Sequence, residues 1–168
     1  PPLRLESGYE GFKSEILEIP AVLEVTASTG LPGRYAGIPF NFISAEEVGS
    51  EPVRLDYTAV DYDYFKFYDI ELIQGRAFSE SIPSDKGKAL ILNETAMKNL
   101  GWESPLGKTL TEERGEISGV VIGVIKDYHN VSLHEKIQPA VFQVFPRMFG
   151  QVAVRVAPGR TADALDSL

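Results

Sequence analysis

Tyr9, Phe12, Ile16 and Ile19 recur at helical spacing until Pro20, and Ser7-Gly8-Tyr9-Glu10 has the Ser-x-x-Glu form of a capping box. The pattern predicts a helix from about Gly8 to Ile19. Leu23, Val25 and Ala27 then alternate with Glu24, Thr26 and Ser28, the period of two that marks a strand with one face in water. From Thr29 to Pro52 glycines and prolines punctuate the chain, which suits loops and short strands better than helices. Alternation returns at Val53, Leu55, Tyr57 and Ala59, and Asp63 is placed to cap a short helix from Tyr64 to Tyr68.

Ala89 to Leu92 reads as a buried strand, with Asn93 as the cap of a following helix, Glu94 matching its dipole and Gly101 as its left-handed stop. Pro105-x-Gly107 is a turn, "EERGE" a charged hairpin tip, and Val120 to Ile125 a short strand rich in valine and isoleucine. Ala140 to Phe145 and Val152 to Ala157 are two further strands, expected to pair as a hairpin across "PRMFGQ". Thr161 caps a last helix in which Leu165 and Leu168 are apolar, and no glycine or proline terminates it, so the domain is expected to continue beyond Leu168. Few helices among strands that are often sequence neighbours predict an α+β sheet layered with helices, not a doubly wound parallel sheet.

Composition narrows the function classes. The 168 residues, 43% hydrophobic and 24% charged, fit one domain or two small lobes. A net charge of -8 argues against nucleic acid, whose phosphates need clustered Lys and Arg to displace counterions. With no cysteine there is no disulfide scaffold, thiolate zinc site or cysteine nucleophile. No apolar run reaches the roughly 18 residues that span a bilayer. The chain opens on Pro1-Pro2 instead of a signal sequence, so it reads as a segment of something longer.

Three stretches carry candidate chemistry. In Gly119 to Lys136, Gly119 precedes a strand and Gly123 lies inside it, which fits no dinucleotide fingerprint and marks instead a close backbone approach. Asp127, His129 and His134, with Glu135, offer metal ligands, but the histidines stand five apart, not flanking a glutamate at four; Asp127 is expected to cap the loop after the strand. In "DYTAVDYDYFKFYDIEL" the aromatics could line a pocket and Asp61 with Asp63 could form an acid pair. Carboxylates two apart on one segment flank a scissile bond poorly, so Tyr57, Phe65, Phe67 and Ile70 are read as core and the aspartates as caps or solvated groups. The pairs Glu46-Glu47 and Glu112-Glu113 read as solvated turns, and no Gly-x-Ser-x-Gly elbow is present. No catalytic, cofactor or metal residue is assigned, and the chain is read as not an enzyme.

In this order and spacing, "VDYDYFKFYDIELIQGRAF", "ALILNETAMKNLGWESPLGKTL", "GVVIGVIKDYHNVSLHEKIQPAVF" and "VAVRVAPG" closely resemble the MacB-like periplasmic core domain of FtsX-like ABC transporter permeases. The resemblance runs from about Phe12 to Leu168. It implies a domain inserted between the first and second membrane helices of a permease, on the periplasmic, extracytoplasmic face of the cytoplasmic membrane. It further implies two lobes: a porter-like βαβ lobe from residues 1–32 and 138–168, incomplete at both ends, and an inserted β-rich lobe with short helices over 33–137. The Gly119 to Lys136 segment would carry the chain back between them, with Asp127 and His129 as hinge or interface residues. Gly75-Arg76 with Phe78, Asn93-Glu94 and Pro105-x-Gly107 would be family marks with structural jobs. The implied function is non-catalytic: transmitting ATP-driven movement to cargo or partner proteins in export or efflux. The implied partners are the membrane helices of the same permease, a separate ATP-binding subunit or domain, a periplasmic adaptor or cargo protein, and a second permease in a dimer. Two other readings rest on the residues alone: a ligand-binding or sensor module using the Tyr57 to Tyr68 aromatics, and a metal-dependent hydrolase built on Asp127, His129 and His134.

Overall fold

A computed structural model describes residues 8–32, 37–46, 49, 51–128 and 136–167. The elements are α1 (Tyr9–Leu17), β1 (Val22–Ser28), β2 (Ile38–Ser44), β3 (Val53–Val60), α2 (Tyr64–Phe67), β4 (Leu72–Gly75) and α3 (Asp85–Lys88). They continue with β5 (Ala89–Asn93), α4 (Glu94–Asn99), β6 (Thr109–Glu112), β7 (Ser118–Ile125), β8 (Ala140–Val144), β9 (Gln151–Val156) and α5 (Thr161–Ser167). The class is α+β.

The strand pairings close on themselves. β2 pairs with β3, β3 with β8, β8 with β5, β5 with β7, β7 with β6, and β6 returns to β2. β3–β8 and β5–β7 are parallel and the other four pairings antiparallel. In so small a barrel side chains fill the interior and no channel remains. Each ring strand supplies it: Phe42 from β2, Leu55 and Tyr57 from β3, Leu90 and Leu92 from β5, Leu110 from β6, Val121 from β7 and Val141 from β8, all in one buried cluster. The alternate residues of the same strands, Val60, Ile91, Ile125, Phe142 and Val144, face outward and are covered by Tyr64 and Phe65 of α2 and by Phe78. Period-two alternation therefore buries both faces of these strands, with a different cluster on each.

Outside the ring, β1 and β9 form an antiparallel ribbon. It joins the ring where Ser28 pairs with Val60 at the end of β3. α1 lies on this ribbon, and Ile16, Val22 and Val25 form a small core between them.

Several local expectations hold. Asn93 Oδ1 accepts the Ala96 N–H at 2.9 Å and so caps α4. Gly101 ends that helix with φ 68°. β6 and β7 pair antiparallel around the charged tip. The Pro105-x-Gly107 turn binds the edge of β7 between β6 and β4, with the Gly107 N–H on Val121 O at 2.8 Å. At Gly75, φ is 72° and a Cβ would meet Ile122 O at 2.1 Å, so only glycine fits there. Arg76 holds the buried Asp85 through two bonds, at 2.6 and 2.8 Å, and the Ser79 N–H adds a third at 2.9 Å. Phe78 stacks on Phe65 with ring centroids 5.9 Å apart.

Other expectations fail for tertiary reasons. β8 and β9 do not form a hairpin: β8 lies between β3 and β5, and β9 pairs with β1. The wet face assigned to β1 is dry at Thr26 and Ser28, which are buried by what lies over them, and only Glu24 keeps its side chain partly in water. A register shift between Val22 and Glu24 leaves Leu23 53% exposed instead. α1 begins at Tyr9 with Gly8 as its cap and no side-chain capping bond; the Ser7 of the expected capping box lies outside the described residues. Asp63 precedes α2 but does not cap it with its side chain. β4 and α3 carry no period long enough to read.

The ring interior gives the first expected outcome. Leu92→Ala leaves a void where the surrounding strands are tied to one another and cannot collapse, so urea denaturation should show a loss of about 2–5 kcal/mol. A second concerns acid. Hydrogen bonds from Arg76 hold the Asp85 carboxyl below its ordinary 3.8. Its contribution to stability is complete above that value and is lost as the pH falls through the lowered pKa of the folded state. In acid titrations of unfolding free energy, Asp85→Asn should be less stable than the parent at pH 7, with the gap narrowing below 3.8.

Candidate functional site

A buried polar cluster sits where ribbon and ring meet. The Asp61 N–H bonds Ala27 O at 2.9 Å as β3 ends, which places its carboxylate under α1, 2% exposed. Tyr9 and Lys13, four apart and so on one face of α1, reach it together. The Tyr9 hydroxyl donates to Oδ2 at 2.5 Å and Lys13 Nζ to the same oxygen at 2.8 Å. Thr26 Oγ1 of β1 donates to Oδ1. Lys13 also bonds Asp63 Oδ2 at 2.6 Å. A buried carboxylate is tolerable only when its lone pairs are met, and charge-assisted bonds meet these.

Electrostatics fix the protonation states of the donors. Burial, with the negative charge of Asp61, pushes the Tyr9 phenol far above the ordinary tyrosine range, so it stays a donor. Burial alone would lower Lys13, but its bonds to Asp61 and Asp63 outweigh that and raise it above the usual 10.5, so it stays charged. Both Asp61 oxygens are engaged, Oδ2 by Tyr9 and Lys13 and Oδ1 by Thr26. The arrangement is a clamp joining α1, β1 and the segment after β3.

A second clamp lies beyond it. Arg155 of β9 pairs with Glu24 of β1 at 2.7 Å, stacks on the Phe67 ring of α2 at 5.0 Å and donates to the Phe67 carbonyl. Between the two clamps runs a groove of about 140 Å3 lined by Lys13, Leu17, Leu23, Val25, Lys66 and Phe67 among others. The sequence reading, in which Asp61 capped a helix or faced water, missed this cluster. Its donors are 35 to 52 residues away along the chain, and only the spacing of Tyr9 and Lys13 hinted at it.

The aromatics proposed as a ligand platform are core. Tyr57, Tyr64, Phe65 and Phe67 are buried. Tyr64 meets Phe65 and Tyr68 edge-on at centroid distances of 5.6 and 5.0 Å, and Phe65 meets Phe142 at 5.3 Å. Tyr57 donates to Gln143 Oε1 at 3.0 Å inside the ring. These rings are spent on packing against one another and only Phe67 reaches the groove, so the sensor-pocket reading is not favoured.

At the exit of β7, both Asp127 oxygens are taken by Thr95, its N–H at 3.0 Å and its hydroxyl at 2.7 Å. The Asp127 N–H in turn bonds Glu94 Oε2 at 3.0 Å. Asp127 therefore ties the start of α4 and does not merely cap its own loop. Asn93 extends the tie: its Oδ1 also accepts the Ala140 N–H at 2.8 Å, and its Nδ2 donates to Gln138 O at 2.9 Å. His129 and His134, the other ligands of the metal reading, lie outside the described residues, as does Glu135. Among the described residues no group of three acidic or histidine side chains could hold a metal ion. Gly123 is the close approach expected, since a Cβ there would meet Arg76 O at 2.5 Å. Glu112, read as a solvated turn residue, is buried and accepts the Arg114 N–H at 3.0 Å.

The two aspartates of the first clamp should separate on substitution. Asp61→Ala leaves Tyr9, Thr26 and Lys13 facing an empty buried site, with an expected loss of about 3–5 kcal/mol in denaturant unfolding. Asp63→Ala, with its carboxylate half exposed, should cost less than about 1 kcal/mol.

The model of the MacB-like periplasmic core domain matches residues 7–167. The macrolide export ATP-binding/permease protein MacB of Bartonella quintana (strain Toulouse) is 26% identical over 129 residues, covering 74% of this chain and 19% of that protein. The chain spans about a fifth of the length of the curated relatives it matches. The periplasmic region of MacB from Actinobacillus actinomycetemcomitans aligns with TM-score 0.60 at 16% identity, over 94% of this chain and 69% of that one. The extracellular domain of the ABC-type transporter YknZ from Gram-positive bacteria aligns with TM-score 0.66 at 17% identity, over 92% of this chain and 76% of that one. At these identities the solved structures speak for the fold, and the family match, which takes in almost the whole chain, speaks for descent: the chain belongs to the MacB-like periplasmic core domain family.

Proposed function

We propose that this chain works as the non-catalytic extracytoplasmic domain of an ABC transporter permease subunit, passing ATP-driven movement from the membrane to a cargo or partner protein outside. The observation that carries the reading is the family match over residues 7–167. The names of the curated relatives, which join an ATP-binding part to a permease part, support it. So do the clamps, where the carboxylate oxygens of Asp61 and Asp127 are engaged by donors of the fold itself.

On this reading the chain is one piece of an integral membrane protein on the outer side of the cytoplasmic membrane. No helix among the described residues is long and apolar enough to cross a membrane, so the spanning segments would lie elsewhere in the subunit. Its partners are those membrane helices, a separate ATP-binding domain or subunit, a second permease and an adaptor or cargo protein. The division into a terminal lobe, 1–32 with 138–168, and an inserted lobe, 33–137, belongs to the same reading. The β1–β9 pairing that joins the two ends of the chain supports it, with β8 lent to the ring.

Labelling tests this directly in a parent protein whose cysteines outside this cysteine-free stretch have been replaced. Glu116→Cys at the exposed β6–β7 tip, placed in the full-length parent protein, should react with a membrane-impermeant maleimide in intact cells. Its rate should change when ATP hydrolysis is blocked. Labelling only after the membrane is broken would overturn the location, and a rate indifferent to nucleotide would overturn the transmission.

A further inference from the structure

We infer that α1, β1, β9 and α5 form a flap that turns on the ring about the Ser28–Val60 junction, and that Lys13 and Arg155 bolt it shut on the two ends of α2. The inference rests on geometry alone and stands or falls separately from the transporter reading.

The flap is joined to itself far better than to the ring. β1 and β9 share a register from Val22–Val156 to Ser28–Gln151. With the ring, β1 shares the single pair Ser28–Val60, flanked by the Thr29 N–H on Ala59 O and the Asp61 N–H on Ala27 O, each at 2.9 Å. Ile16, Val22 and Val25 give the flap a core of its own, while Tyr9 and Ala27 are buried in the main cluster, with Phe12 and Val152 packed against it. The Ala59 N–H adds a bond to Thr29 Oγ1 at 3.0 Å. A strand held at one end by so few bonds can swing when the residues there absorb the change in φ and ψ, as hinge residues between packed bodies do.

On the side facing α2, what opposes the swing is polar. α2 spans only Tyr64–Phe67, and the flap grips both its ends. At the start, Lys13 Nζ bonds Asp63 at 2.6 Å. At the finish, the Arg155 guanidinium takes the Phe67 carbonyl, one of those a helix C-terminus leaves unsatisfied, and stacks on the Phe67 ring. Between the bolts the flap does not close tightly on α2: the groove of about 140 Å3 lies there, with Leu17 and Leu23 at its rim 44% and 53% exposed. Apolar side chains left in water beside an open gap mean that no dry seam glues this side of the flap. Directional bonds at two points hold it, and such contacts are lost whole when the geometry opens.

Asp61 has a different part. Next to the junction and bonded to both Tyr9 and Thr26, it pins the axis and keeps α1 with β1 as they turn.

Hydrogen exchange on the whole chain tests this, because local opening and global unfolding leave different patterns. In the double variant Asp63→Ala, Arg155→Ala, which leaves Lys13 on Asp61, amides of β1 and β9 should exchange about tenfold faster or more, while those of β5 and β8 stay within about twofold of the parent. Equal acceleration in ribbon and ring would show one cooperative body and overturn the flap. Unchanged exchange in β1 and β9 would show that the bolts hold nothing. Should the double variant not fold, Arg155→Ala alone decides by the same comparison.

Discussion

The bonds between β2 and β6, from Phe42–Glu112 to Ser44–Leu110, convert an open sheet into a ring, and the rest of the molecule depends on that closure. Once β2 is fixed between β3 and β6, every ring strand has neighbours on both sides and the barrel has no edge to offer another chain. Closure also sets the interior volume, which Phe42, Tyr57, Leu90, Leu92 and their neighbours fill. β3 carries the heaviest load. It serves β2 along its first half and β8 along its second, then hands its last residue to β1. The ribbon is an appendage of that last residue, which is why the contacts around Asp61 and α2 decide how firmly it sits.

How much of this was legible follows from the range of each interaction. Features whose partner lies within a few residues could be read: Asn93 capping Ala96, Gly101 stopping α4, the β6–β7 tip. Gly123 could be read as a close approach because a glycine inside an apolar run has few other reasons to be there. The pairing of β8 and β9 could not. Neighbouring strands usually pair, but here β8 is drawn into the ring by parallel pairing with β3, and nothing in the local pattern announces a partner from the other end of the chain. The same limit hid Asp61: Thr26 sits at a position that alternation assigns to water, and only the fold brings α1 over it.

The family marks look different in this light. Gly75, Arg76 and Phe78 meet at one corner, where Gly75 lets the β4 backbone come against Ile122, Arg76 anchors Asp85, and Phe78 closes the outer cluster on Phe65. Pro105-x-Gly107 seals the stretch of β7 edge that neither β6 nor β4 covers. Asn93 and Glu94, with Asp127, tie β5, α4, β7 and β8 at one crossing. Each of these residues supports the scaffold.

The parallel pair β3–β8 has a further consequence, for how the chain acquires its structure. Residues 56–60 wait for residues 140–144, so the ring cannot close until most of the polypeptide is present. Loop-closure entropy must be met before that contact returns anything, which places this topology among the slow folders. While β8 is missing, the flanks of β3 and β5 stand open, and the nascent domain is at its stickiest during the interval when its last quarter is still being delivered.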